Sequence, residues 1–199
     1  DEEGQLIKFP EYKFDTKVEK SEINLSTVKV LLNANKAALA QTMEIPCLTG
    51  YYFDDKVLTT DTFKVCSTDI KVFPDKVLLP AELMELLALM DEEKITVQVS
   101  GNKILFSTNN VIVFGSQLED YPSEAINAYL ETEFKSVCKL PKGAVLNLLD
   151  RLALFVATYD KNAVYLTFTK DGVIFSSKRS NGTELIKYQG SEDIICLEK

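Results

Sequence analysis

Over residues 48–65 the chain runs Leu-Thr-Gly-Tyr-Tyr-Phe-Asp-Asp-Lys-Val-Leu-Thr-Thr-Asp-Thr-Phe-Lys-Val. Two runs of β-branched and aromatic residues flank the polar turn Asp54-Asp55-Lys56. This predicts a hairpin that ends in a second turn, Thr60-Asp61-x-x-Lys64-Val65. The residues before it follow a different period. Val28, Leu31, Leu32, Asn35, Ala38 and Leu39 share one face at helical spacing, with Lys29, Asn33 and Lys36 opposite. Ser26 stands where an N-cap belongs, so a helix is expected over residues 26–40, preceded by a strand at 22–25.

The same order then returns. Residues 76–79 form an apolar strand, and Pro80 opens a helix over 80–90 expected to bury Leu83, Leu86, Leu87 and Met90 and to show Glu82 and Glu85 outward. Three antiparallel strands follow at 94–100, 103–108 and 111–118, separated by Gly101-Asn102 and Asn109-Asn110 turns. A third helix begins at Pro141, with Val145, Leu148, Leu149 and Leu152 on its apolar face. Strands follow at 164–169, 173–178 and 183–189, and another starts at 193–197. Near the beginning, residues 5–12 form a short strand running into Pro10, and 13–22 suggest a linker. Gln5-Leu6-x-x-Phe9-Pro10 returns as Gln117-Leu118-x-x-Tyr121-Pro122. Three half-units emerge, at about 23–75, 76–130 and 134–190, each a sheet with a helix across one face. Two such half-units can pack their helices side by side under joined sheets, and a chain of them curves.

Composition narrows the chemistry. A chain of 199 residues with 46% apolar residues can bury one or two ordinary cores. No apolar run approaches the ~20 residues that cross a bilayer. The acidic first residues do not resemble a secretory signal and suggest a start inside a larger protein. There is no histidine, which excludes Ser-His-Asp and Cys-His catalysis and makes zinc improbable. Cys47, Cys66, Cys138 and Cys196 are widely spaced and read as small hydrophobes in a reducing compartment. Asn181-Gly182-Thr183 reads as a hairpin turn rather than a glycosylation acceptor. Asp54, Asp55, Asp61 and Asp69 are expected as solvated turn residues; a carboxylate-dependent hydrolase or a metal site would need them to converge, and the strand pattern scatters them over two turns. The net charge of −8 argues against a nucleic-acid grip over the whole surface but leaves room for a small basic face.

The Leu-Thr-Gly-Tyr-Tyr-Phe hairpin, Thr60-Asp61-x-x-Lys64-Val65, Val77-Leu78-Leu79-Pro80 before a helix, and Tyr121-Pro122 at the unit end together resemble the bacterial β sliding clamp, the DNA polymerase III β subunit, and its phage or plasmid relatives. The resemblance implies an α+β DNA-clamp fold of repeated strand-helix-strands half-units, with helices on one face and antiparallel sheets on the other. On that pattern residues 1–21 are the tail of a preceding clamp domain and a linker, 22–130 a complete domain, and 131–199 the first half of the next. The chain is then a fragment of a protein whose full length closes a homodimer ring around duplex DNA.

The resemblance also implies no catalysis, no cofactor, no membrane and a cytoplasmic setting. It implies a processivity factor in DNA replication that holds DNA polymerase and clamp-loader peptides in a groove between the second and third domains. Carried over by position, Leu48 lies on the groove floor, and Thr60, Phe63, Lys64 and Val65 form one wall. Pro122, Ile126 and Asn127 fall in the loop after the Tyr-Pro motif. Thr62 replaces the family's glycine, Phe63 its usual histidine and Ile126 its usual arginine. Lys29, Lys36, Lys142 and Arg151 are the DNA-facing candidates, with weak, non-specific, salt-dependent contact expected. Read without the family, Leu48, Phe63 and Val65 are sheet core and the lysines are solvated. The alternative from another class is a non-enzymatic α+β repeat interaction module without a DNA role.

Overall fold

The computed structural model describes residues 20–133, 137–154, 164–177, 182–188 and 194–195. The strand expected at 5–12, the linker up to residue 19, Asn181 and Cys196 lie outside them. The chain forms two units, divided between Glu131 and Thr132.

The first unit holds two four-stranded antiparallel sheets. One comprises β1 (Lys20–Asn24), β6 (Lys94–Ser100), β7 (Lys103–Ser107) and β8 (Ile112–Ser116), in that order. The other runs β4 (Val65–Thr68), β3 (Val57–Thr60), β2 (Gly50–Phe53) and β5 (Val77–Pro80). The half-units are therefore not self-contained, as the sequence pattern suggested. The leading strand of each crosses to the other's sheet: β1 pairs with β6 and β5 pairs with β2. The physical reason is pairing capacity. Each helix follows its leading strand at once, and that strand completes the open edge of the sheet next door. The sheets meet where Leu118 N–H donates to Leu78 C=O (3.0 Å) and Gln117 Oε1 accepts from Leu78 N–H (3.1 Å).

Helix α1 (Leu25–Asn35) starts directly from β1, its first amide donating to Glu93 C=O (3.0 Å). That bond satisfies an orphan N–H. Asn24 is the cap residue and no side chain caps the end, so Ser26 does not act as expected. The helix ends at Asn35 and a 3₁₀ turn, Lys36–Ala38, replaces its last expected turn. Helix α2 (Ala81–Ala88) lies beside α1 and is shorter than the expected 80–90. It buries Met84 and Leu87, whereas Leu86 is 44% and Leu89 80% exposed, because α2 is rotated to put Met84 into the core instead.

Alternation along the strands sorts two cores. Tyr51, Phe53, Val57, Val77 and Leu79 face α1 and α2, in one cluster with Ile95, Val97, Ile104 and Phe106 of the other sheet. Tyr52, Leu58 and Leu78 point to the opposite face, where they join Ile126. Ile126 belongs to a helix the sequence pattern did not announce, α3 (Ser123–Leu130). Gly50 sits where β2, β5 and Leu118 converge: a Cβ there would lie 2.7 Å from Leu79 O and 2.8 Å from Leu118 Cδ1.

In the second unit, α4 (Lys142–Ala153) covers the sheet β10 (Val164–Phe168), β11 (Gly172–Ser177), β12 (Thr183–Lys187). Leu148, Leu152, Val173, Phe175 and Ile186 form its core, with Val145 and Leu149 packed against it as expected. A two-stranded pair joins β9 (Val137–Cys138) to β13 (Ile194–Ile195).

Candidate functional site

The turn between β3 and β4 is fixed by a local network. Thr60 Oγ1 donates to Lys64 C=O (2.7 Å) and accepts from Thr62 N–H (3.1 Å). Asp61 Oδ1 accepts the N–H groups of Phe63 (3.0 Å) and Lys64 (2.8 Å). Lys64 Nζ reaches Asp61 Oδ2 (3.0 Å) and donates to Ala37 C=O (2.7 Å), tying the turn to the 3₁₀ segment after α1. Burial acts to raise the Asp61 carboxyl, but the hydrogen bonds from Lys64 and Phe63 outweigh it and hold the group below the usual carboxylate range. Thr62 adopts φ 77°, a left-handed conformation that is an outlier for a β-branched residue. The network thus carries Phe63 out into solvent, 84% exposed.

The base of this hairpin is pinned from below. Asn35, fully buried at the end of α1, donates through Nδ2 to the carbonyls of Val57 (3.3 Å) and Cys66 (3.4 Å). Its Oδ1 accepts from Thr68 (2.7 Å), and its backbone carbonyl accepts from Thr59 (2.9 Å). One asparagine therefore ties α1 to β3 and β4. It had registered in the sequence only as a polar interruption of an apolar stripe.

On the outer face of the same sheet, Tyr52 and Tyr121 stack with ring centroids 4.8 Å apart. Val65, Cys47, Leu118 and Leu130 pack around them and Ile126. Burial pushes the Tyr121 hydroxyl up, and also the Cys47 thiol. Pro122 and Asn127 belong to α3 and its N-terminus rather than to a loop; Pro122 precedes the first turn and Glu124 sits in it. Leu48 is buried in a 3₁₀ turn, Pro46–Thr49, ahead of β2, not in the hairpin strand. Thr60, Val65, Pro122, Ile126 and Asn127 thus gather around one sheet face, with Phe63 and Lys64 on the turn at its rim.

The candidate cations are less available than the sequence suggested. Lys36 pairs with Glu85 (2.6 Å) across α1 and α2, and Lys29 donates to Met90 C=O (3.3 Å). Arg151 forms a two-pronged pair with Glu184. Lys142 lies exposed in the first turn of α4.

Asp54, Asp55 and Asp69 do converge, against expectation. With Asn127 and Glu131 they line a hollow of about 350 Å³ beside α3, while Asp61 stays in its own turn. The β3–β4 register brings the two loops together: Val57 pairs with Thr68, so Asp69 follows beside the Asp54–Lys56 turn. Asp55 pairs with Lys71 (2.8 Å) and Asp54 with Lys76 (3.3 Å). Among the described residues no three metal-ligating side chains are arranged to hold an ion. No helix among them is long and apolar enough to cross a membrane.

Comparison of the backbone with solved structures gives a consistent answer. The DNA polymerase III beta chain from Streptococcus pneumoniae superposes with a TM-score of 0.78 at 17% identity, over 96% of this chain and 54% of that one. The DNA polymerase sliding clamp from Bacillus subtilis gives 0.75 at 18% identity, over 95% and 53%. The fold is the sliding-clamp fold. A sliding clamp from Bartonella birtlesii, solved bound to griselimycin, matches at 0.71 and 20% identity over 92% of this chain and 54% of its own length. No family model matches the chain, and no curated protein sequence does. The likeness to the sliding clamps therefore rests on the order and placement of elements. The chain spans about half the length of the clamps it matches.

Proposed function

We propose that this chain is part of a sliding-clamp processivity factor, a non-catalytic tether that holds DNA polymerase and other replication proteins at duplex DNA through short peptides. The clamp fold is the observation that carries the proposal. It is supported by the face formed by Thr60, Val65, Ile126 and Tyr121, with Phe63 at its edge, in a chain without histidine. In this proposal Leu48, Thr60, Phe63, Lys64, Val65, Pro122, Ile126 and Asn127 receive a peptide with Leu or Phe anchors. Tethering raises a partner's local concentration without new chemistry. The full-length protein would close as a homodimer ring in the cytoplasm.

The test is titration of a labelled Gln-x-x-Leu-Phe-like peptide into the chain, read by fluorescence anisotropy. Saturable binding on the order of micromolar or weaker, lost in Phe63→Ala, is the expected result. Binding unchanged in Phe63→Ala would overturn the assignment of this face.

A second reading is favoured by the charges: an interaction module without a DNA role. Lys36 and Arg151 are neutralised by Glu85 and Glu184, and α2 offers Glu82 and Glu85 but no cation. Retention of the chain on duplex DNA at low salt, and its release as salt rises, separates the two.

A further inference from the structure

Helix α3 is the last element of the first unit, and its grip on the outer sheet face is apolar. Ile126 and Leu130 join Tyr52, Leu58 and Leu78 there. Three backbone hydrogen bonds at its ends run within the segment. Ser123 N–H donates to Tyr121 C=O (2.8 Å), Ile126 N–H to Pro122 C=O (3.2 Å) and Glu131 N–H to Asn127 C=O (3.0 Å). A helix of eight residues is kept in place by what it packs on, not by its own propensity.

That packing leaves two polar atoms stranded. The Tyr121 hydroxyl and Asn127 Oδ1 are both buried without a hydrogen-bond partner. Each loses hydration when the segment closes on the sheet and recovers it when the segment lifts. The far end of α3 is undercut by the hollow of about 350 Å³, which reaches Leu58. Glu131 shares that hollow with Asp54, Asp55 and Asp69 against Lys56 alone. It also stands at the negative end of the helix dipole, with no basic residue in the last turn. These charges act against closure. The near end turns at Asp120, whose φ of 62° lies in the left-handed region, a single backbone position able to serve as a pivot.

We propose that residues 121–131 form a hinged flap that pivots at Asp120 and lifts from Tyr52, Leu58 and Leu78 to admit a segment of a partner peptide. The stranded pair selects this occupant. The Tyr121 hydroxyl offers a donor and Asn127 Oδ1 an acceptor, and a peptide bond carries the complement of each, a C=O and an N–H. An apolar side chain of the same segment takes the place of Ile126 against the sheet. The occupant rests on the peptide-binding reading of this face, whereas the lifting of α3 does not depend on a peptide. With the flap closed in most molecules, the apparent affinity for the peptide is reduced to the fraction that is open.

The test uses the whole 199-residue chain as wild type, Tyr121→Phe and Leu130→Ala, with amide exchange read residue by residue. The amides of residues 125–131 are expected to open together, before those of β2 and β3 and with a shallower urea dependence. Tyr121→Phe removes a stranded hydroxyl and should raise their protection about tenfold; Leu130→Ala should lower it about tenfold. The labelled Gln-x-x-Leu-Phe-like peptide is then titrated into each. Leu130→Ala should bind it about tenfold more tightly and Tyr121→Phe about tenfold more weakly, a gain from a destabilising change that a purely structural role of α3 does not give. Exchange of α3 only together with β2 and β3 overturns the flap. So does peptide binding that Phe63→Ala abolishes but Leu130→Ala and Tyr121→Phe leave unchanged, in which case the groove stands without it. Absence of binding in every variant overturns the groove reading and the occupant together.

Discussion

Thr62 shows how one residue type can conflict with its place. Its φ of 77° is a conformation glycine adopts freely and a β-branched residue resists by about 1–2 kcal/mol. Thr62→Gly should stabilise the first unit by about 0.5–1 kcal/mol, after the added freedom of the unfolded chain is set against the relieved strain, and a shift in urea midpoint would show it. Asn35 works in the other direction. Replacing it with Leu keeps the volume but strips the Val57 and Cys66 carbonyls and the Thr68 hydroxyl of a buried partner. A loss of about 2–4 kcal/mol is expected, measured by chemical denaturation. Asp61 gives the turn a pH dependence. Its carboxyl is held below its unfolded value, so the stabilisation is present at pH above that value and is lost as pH falls through the lower, folded one. The protection factors of the Phe63 and Lys64 amides, corrected for intrinsic exchange, should therefore fall as the Asp61 carboxylate is protonated at acid pH, and Asp61→Asn should remove that dependence.

At the scale of elements, what was legible followed from strong periodicity. The stripe Val28, Leu31, Leu32 predicts α1, and alternation around Gly101-Asn102 predicts β6 and β7; both stand in the structure. Helix α3 was illegible because its inward face consists of little more than Ile126 and Leu130, and one turn of apolar spacing does not rise above loop composition. Its cue was the Pro122-Ser123-Glu124 opening. The convergence of Asp54, Asp55 and Asp69 depends instead on the β3–β4 register, Val57 opposite Thr68, which the apolar alternation alone does not set. The groove residues were named from resemblance, and strand parity then explains why Thr60 and Val65 share a face with Leu58 and Tyr52. Ile126→Asp should free α3 from the sheet while leaving the inner core folded. Loss of protection confined to residues 121–131 in hydrogen exchange, with β2 and β3 still protected, is the expected pattern.

For the molecule as a whole, net charge and ion pairing set the terms of any contact with DNA. With Lys36 and Arg151 already paired, retention on duplex DNA should be weak and should vanish between about 50 and 200 mM salt. Glu85→Gln and Glu184→Gln together should strengthen it by releasing both cations. The exchange of leading strands has another consequence, for the order in which the chain can be built. Lys20 pairs with Gln98 and Asn24 with Lys94, so β1 waits for some seventy further residues before its partner exists. Until then the edge of β1 stays bare. A nascent first half-unit is therefore a client for whatever shelters unpaired strands during synthesis, and a pause placed after Ser100 would let the unit close where one placed before Lys94 would not.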